Sequence, residues 1–139
     1  MKPTHFLLID IDGLRPDVFD QALKLGHIPN LARLVGGQNL EQGILFPALA
    51  PAPSITFASQ ASLFTGVHPK DHGIPGNQFF DRFGTFSNGT PRHYAFDVSD
   101  TLDADDAVRV FTDGLASKCL QAPTLYEVFA KKDWDSVVA

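Results

Sequence analysis

Sulfur and basic charge are both scarce in this chain, and each scarcity excludes something. Among 139 residues there is one cysteine, one methionine and one tryptophan. A single thiol, Cys119, closes no internal disulfide and supplies no metal–thiolate cluster, a usage that suits a reducing compartment. Lys and Arg total 11 against 16 Asp and Glu, for a formal net charge of −5. No basic stripe gathers, so nucleic-acid binding by phosphate neutralisation is excluded. No apolar run approaches the ~20 residues that span a bilayer, which excludes a membrane role by that route. The opening "MKPTHFLLID" has no charged region, apolar stretch and cleavage site in the order a secretory signal needs. The expectation is a cytoplasmic protein. Internal repeats and low-complexity segments are also lacking.

What is present is ordinary for a globular protein: 44% hydrophobic residues, 19% charged, and twelve phenylalanines, mostly expected in a core. The length suffices for one modest domain. Residues 5–11 are nearly all apolar and too short for a helix, the pattern of a strand buried on both faces of a parallel sheet. "RPDVFDQALKLG" predicts a helix with Pro16 near its start and Gly26 as its stop, and "IPNLARLVGG" a second, shorter one. "LEQGILFPAL", residues 40–49, predicts a second strand. "PSITFASQASLFTG" predicts a helix with Ser54 as N-cap, Phe57, Ala61 and Phe64 on one face, and Gly66 as C-cap. Short strands are expected near 78–80 and 92–96. "SDTLDADDAVRVF" predicts a turn or two of exposed helix, Pro123 to Lys131 another helix, and Ser136–Ala139 the opening of a strand. The βαβ rhythm and that cut strand read as the N-terminal part, residues 1–139, of a larger α/β domain.

Chemistry gathers first in "FLLIDIDGLRPD", residues 6–17. In a strand, residues i and i+2 point to the same side, so Asp10 and Asp12 could act together. One reading is the haloacid-dehalogenase-like phosphatases, with Asp10 as nucleophile and Asp12 as general acid beside magnesium. That motif continues with threonine, whereas Leu14 stands here, and its later acidic pair follows an apolar strand. Asp105 and Asp106 follow none.

The second motif is "PSITFASQASLFTGVHPKDHGIPGNQFFD", residues 53–81. It has T-F at a helix start, T-G at its end, P-x-x-H-G-I at a turn, and then G-N. Together with "IDGLRPD" it resembles the type I phosphodiesterases/nucleotide pyrophosphatases of the alkaline phosphatase superfamily, most clearly over residues 5–81. The resemblance implies a three-layer α/β/α fold with a mainly parallel central sheet, of which this chain is the N-terminal part. Position by position, it implies that Asp12 is a metal ligand and Thr56 the nucleophile, also bonded to a metal. Asn77 would donate to a phosphoryl oxygen, and Phe57 would border the leaving-group or nucleoside pocket. Asp10 matches no ligand and is read as supporting Asp12 from behind. His72 is read as structural and bonded to backbone, and His5, His27, His68 and His93 as surface or packing residues.

These assignments make chemical sense on their own. A threonine hydroxyl is a feeble nucleophile unless its pKa is lowered. A helix N-terminus presents N–H groups and partial positive charge to a phosphate, and Thr56 lies in a predicted first turn. Asp12, at the carboxyl end of a predicted first strand, lies where open α/β sheets place their ligand crevice. Taken singly, each has a blander reading: Thr56 as a cap, Asp12 and Asn77 as turn formers, and Phe57 as core.

The resemblance further implies two divalent metal ions, usually zinc, held by aspartates and histidines from later in the domain. After Asn77 there is one histidine, His93, and no later Asp–His pair, so the site is incomplete within this chain. "TFASQ" also departs from the family's commoner T-F-P-N-x. The activity implied is metal-dependent hydrolysis of phosphodiester or nucleotide pyrophosphate bonds through a threonine-phosphoryl intermediate. Its substrate would be a small phosphate ester or nucleotide. A phosphonate or phosphomonoester hydrolase of the same superfamily is the near alternative. A non-catalytic α/β module that associates through an unpaired sheet edge is the alternative from another class.

Overall fold

The computed structural model describes residues 5–96 and 119–137. The chain divides into two compact units, Met1–Leu49 and Ala50–Ala139.

The first unit holds helices α1 (Pro16–Lys24) and α2 (Pro29–Leu34). Each begins on proline, which has no N–H to leave unpaired in a first turn and a φ already suited to the helix. Asp17 in the first turn of α1 and Lys24 in the last complement the helix dipole. Leu23 and Ala32 are buried, one on each helix.

The predicted strands at 5–11 and 40–49 are not formed. Phe6, Leu7, Ile9 and Ile11 are exposed instead, as are Ile44, Phe46 and Leu49. A strand apolar on both faces is stable only between neighbouring strands and beneath covering layers. Among the described residues neither segment has a ladder partner.

The second unit holds α3 (Thr56–Thr65), α4 (Pro69–His72), strands β1 (Gln78–Asp81) and β2 (Arg92–Ala95), and α5 (Leu125–Ala130). The strands pair antiparallel in the register Gln78↔Ala95, Phe79↔Tyr94, Phe80↔His93, Asp81↔Arg92, close to the expected bounds. This hairpin is the sheet present among the described residues. The α/β character is therefore observed, and among the described residues a parallel central sheet is not.

Tyr94, Phe96, Ile74 and Cys119 form the buried core, with Phe57, Ala61, Phe79 and Phe86 packed against it. Phe79 is the hub, its ring centroid 5.4 Å from Tyr94 and 6.0 Å from both Phe86 and Phe96. The turn between the strands is tied down by Asp81, whose Oδ2 accepts from the Phe86 N–H at 2.9 Å. Burial works to raise that carboxyl, but hydrogen bonds from the backbone of Phe86, Thr85 and Phe83 outweigh it and hold the pKa below its ordinary value.

Helix α5 begins two residues later than expected, behind a capping box. The Thr124 hydroxyl accepts from the Glu127 N–H, and the Glu127 carboxylate accepts from the Thr124 N–H at 2.6 Å. Ser136 and Val137 form no strand. Residues 138–139 and the predicted helix in "SDTLDADDAVRVF" lie outside the described residues. No helix among the described residues is long and apolar enough to cross a membrane.

Candidate functional site

The N-terminus of α3 is built from two distant pieces of sequence. Its N-cap position is Ile55, with extended dihedrals and no capping side chain of its own. Ser54, expected there, lies one residue too early, so its hydroxyl is not at the position from which an N-cap accepts. The acceptor comes instead from Asn77, twenty residues on, whose Oδ1 takes the N–H of Phe57 at 3.1 Å. A backbone N–H only donates, so the oxygen end of this amide faces the helix and Nδ2 is left as its donor end.

Two further restraints hold Asn77 in place. Its carbonyl accepts from the Phe96 N–H at 2.8 Å, which continues the hairpin ladder one pair past Gln78↔Ala95. Beside it, a Cβ on Gly76 would sit 3.0 Å from Ile55 Cδ1, so glycine lets the loop run close against the start of α3. The half-buried Thr56 opens α3, and the Asn77 amide bonds the very next residue. Thr56 and Asn77 thus share one corner: a hydroxyl, an amide donor and a helix N-terminus. That combination suits a phosphoryl group.

Phe57 carries its N–H to Asn77 but turns its half-buried ring toward the core, 5.7 Å from Phe96. The ring lines an apolar cavity of about 280 Å³ together with Phe64, Ile74, Phe96, Leu120 and Tyr126. Thr56 and Asn77 do not line it.

Asp12 belongs to the first unit. With Gly13 it forms the centre of a turn closed by the Leu14 N–H donating to the Ile11 carbonyl at 3.3 Å, just ahead of α1. Gly13 has φ +71° with nothing within 4 Å of where a Cβ would stand. Backbone conformation, not space, calls for glycine there. Asp10 and Asp12 are both exposed. Among the described residues no three His, Cys, Asp or Glu side chains gather as metal ligands. A zinc site takes at least three protein ligands.

His72 is fully buried and, as expected, bonded to backbone: its Nδ1 accepts from the Ile74 N–H at 3.1 Å. Its other nitrogen, Nε2, is 3.0 Å from Ser62 Oγ, a partner that sequence reasoning missed. Burial lowers the His72 pKa from the ordinary 6.5, against an upward pull from the Ala58 carbonyl. The other four histidines are exposed.

Residues 6–132 match the family described as type I phosphodiesterase / nucleotide pyrophosphatase. Over 76 residues the chain is 40% identical to an uncharacterized pyrophosphatase/phosphodiesterase of Schizosaccharomyces pombe, covering 54% of this chain and 14% of that relative. The chain therefore spans a small fraction of that relative's length. No solved structure gives a significant match. With the family match running over nearly all of its length, the chain belongs to the type I phosphodiesterase / nucleotide pyrophosphatase family.

Proposed function

We propose that the full-length protein hydrolyses phosphoric esters, cleaving phosphodiester or nucleotide pyrophosphate bonds through a phosphothreonine at Thr56. This chain would be the N-terminal part of a three-layer α/β/α domain. The observation that carries the reading is the Asn77 amide, fixed by its oxygen to the first turn of α3 beside Thr56.

In the first step Thr56 Oγ1 attacks phosphorus and the P–O bond to the departing alcohol or phosphate breaks, the threonine proton passing through solvent to that departing oxygen. The Asn77 Nδ2–H donates to a non-bridging oxygen, where negative charge is concentrated. The N–H groups of the first turn add their partial positive charge. In the second step water attacks the phosphothreonine, the P–O bond to Thr56 breaks, and the hydroxyl is restored.

Two divalent metal ions, zinc in this reading, would neutralise phosphate charge and acidify the threonine hydroxyl. Asp12 and Thr56 are the oxygen donors this chain offers them, with Asp10 holding Asp12 in place, and the described residues do not complete the ligand set.

The test is Thr56→Ala in the full-length protein, assayed on bis-p-nitrophenyl phosphate. The expected outcome is loss of turnover with unchanged circular dichroism. Activity within about tenfold of wild type would reject the nucleophile assignment. Comparing the diester with p-nitrophenyl phosphate separates a phosphodiesterase from a phosphomonoesterase.

A further inference from the structure

His72 sits at a junction that the proposed mechanism does not use. Its Nδ1 accepts a backbone N–H, so that nitrogen carries no proton, and the neutral ring has its proton on Nε2. Nε2–H then donates to Ser62 Oγ, and the Ser62 hydroxyl donates onward to the Ala58 carbonyl at 2.9 Å. Every polar atom in this chain of bonds has one consistent role. The backbone of His72 is held as well, its N–H donating to the His68 carbonyl at 3.1 Å and its C=O accepting from Gln121 N–H at 2.9 Å.

Five residues after His72 stands Asn77, bonded to the other end of the same helix through Phe57. The segment 72–77 is thus fastened to α3 twice, at Ser62 by the imidazole and at Phe57 by the amide. Between these points Ile74 is buried and Gly76 lies against Ile55.

We infer that His72 is a positioning residue whose neutral ring clamps segment 72–77 to α3 and so sets the Asn77 amide against the first turn beside Thr56. The inference rests on the proposed role of Asn77 in phosphoryl transfer. Protonation breaks the clamp for a plain reason. A cationic ring carries hydrogen on both nitrogens, and Nδ1–H would then face the Ile74 N–H, donor against donor.

The groups packed around the ring do little to offset that. Helix α3 contributes Ser62 and Ala58, neither of them charged. The Cys119–Gln121 segment meets His72 at its backbone carbonyl through the Gln121 N–H and carries no charged side chain. On its own helix Asp71 favours the cation and His68 opposes it, and burial outweighs both. The clamp is complete at neutral pH and opens as pH falls through the lowered native pKa. The sign for stability agrees. Below pH 6.5 an unfolded histidine takes up its proton before the native one does, so stability declines as pH falls from 6.5 to the native value.

Nitrogen-detected NMR of the histidine rings in the full-length protein tests the clamp without requiring turnover. The expected spectrum at about pH 8 has Nδ1 bare and Nε2 protonated. On acidification His72 should titrate below 6.5, with the Asn77 side-chain amide signals shifting in step. The opposite tautomer, or Asn77 signals that stay fixed while His72 titrates, would overturn the inference.

Kinetics give the second arm. In His72→Asn the Oδ1 can replace Nδ1 as acceptor for Ile74 but does not titrate. The wild-type to variant ratio of kcat should be about fivefold near pH 8, the loss of one ordinary hydrogen bond, and should fall toward unity as pH drops through the His72 titration read by NMR. A ratio independent of pH would overturn the clamp. If the Asn variant fails to fold, Ser62→Ala breaks the same link and should lower kcat by a similar factor with KM unchanged. An unchanged kcat there would also overturn it. Failure of the hydrolase reading is scored separately, by activity in Thr56→Ala.

Discussion

Replacing Asn77 by aspartate and by alanine in the full-length protein separates the two tasks assigned to one side chain. The amide oxygen caps α3 through the Phe57 N–H at 3.1 Å, and the amide nitrogen is the proposed donor to phosphate. Asn77→Asp keeps an oxygen where Oδ1 stands. A carboxylate near a helix N-terminus is worth roughly 0.3–1 kcal/mol, so this variant should be as stable as wild type or slightly more so. It loses the donor and sets negative charge against an anionic substrate. Removing one such donor costs about 10²–10³ in kcat, and like charge adds to the loss. Asn77→Ala loses donor and cap together, with a further penalty of about 0.5–2 kcal/mol in stability. Urea denaturation reads the first quantity and hydrolysis of bis-p-nitrophenyl phosphate the second. An aspartate variant retaining activity within about tenfold of wild type would refute the donor role. An alanine variant as stable as wild type would refute the cap.

Metal titration of full-length Asp12→Asn and Asp10→Asn should show the larger loss of affinity at Asp12. Supporting residues usually cost ~10–100-fold, and direct charged ligands cost more. The reverse order would favour the dehalogenase-like reading. Gly84→Ala should destabilise by at least about 2 kcal/mol, because its Cβ would fall 2.2 Å from backbone atoms of Gly89 and Thr90 at φ +62°. Gly13→Ala, with open space around its Cβ, should cost only the ~1–2 kcal/mol of its left-handed backbone. Equal shifts of the two denaturation midpoints would show that the turn after β1 is looser than the packing indicates.

The sequence alone determined what depends on near neighbours along the chain. Pro16 and Pro29 mark helix starts because proline needs no partner for an N–H it lacks. Gly66 marks the end of α3 because a left-handed residue, here at φ +74°, is needed there. The ordered motifs around Asp12, Thr56 and Asn77 were legible in the same way and pointed to the family that matches.

Tertiary structure decided the rest. Ser54 looked like the cap of α3 because capping is usually local, yet the acceptor came from Asn77, which no periodicity links to Phe57. Ser62 was invisible as a partner of His72 for the same reason. The apolar runs at 5–11 and 40–49 read as strands because their composition suits burial on both faces. A strand, however, is a relation between segments, and among the described residues neither run has a partner. Local propensity writes helix ends into the sequence, whereas ladders, tertiary caps and buried hydrogen-bond chains exist only once distant segments meet.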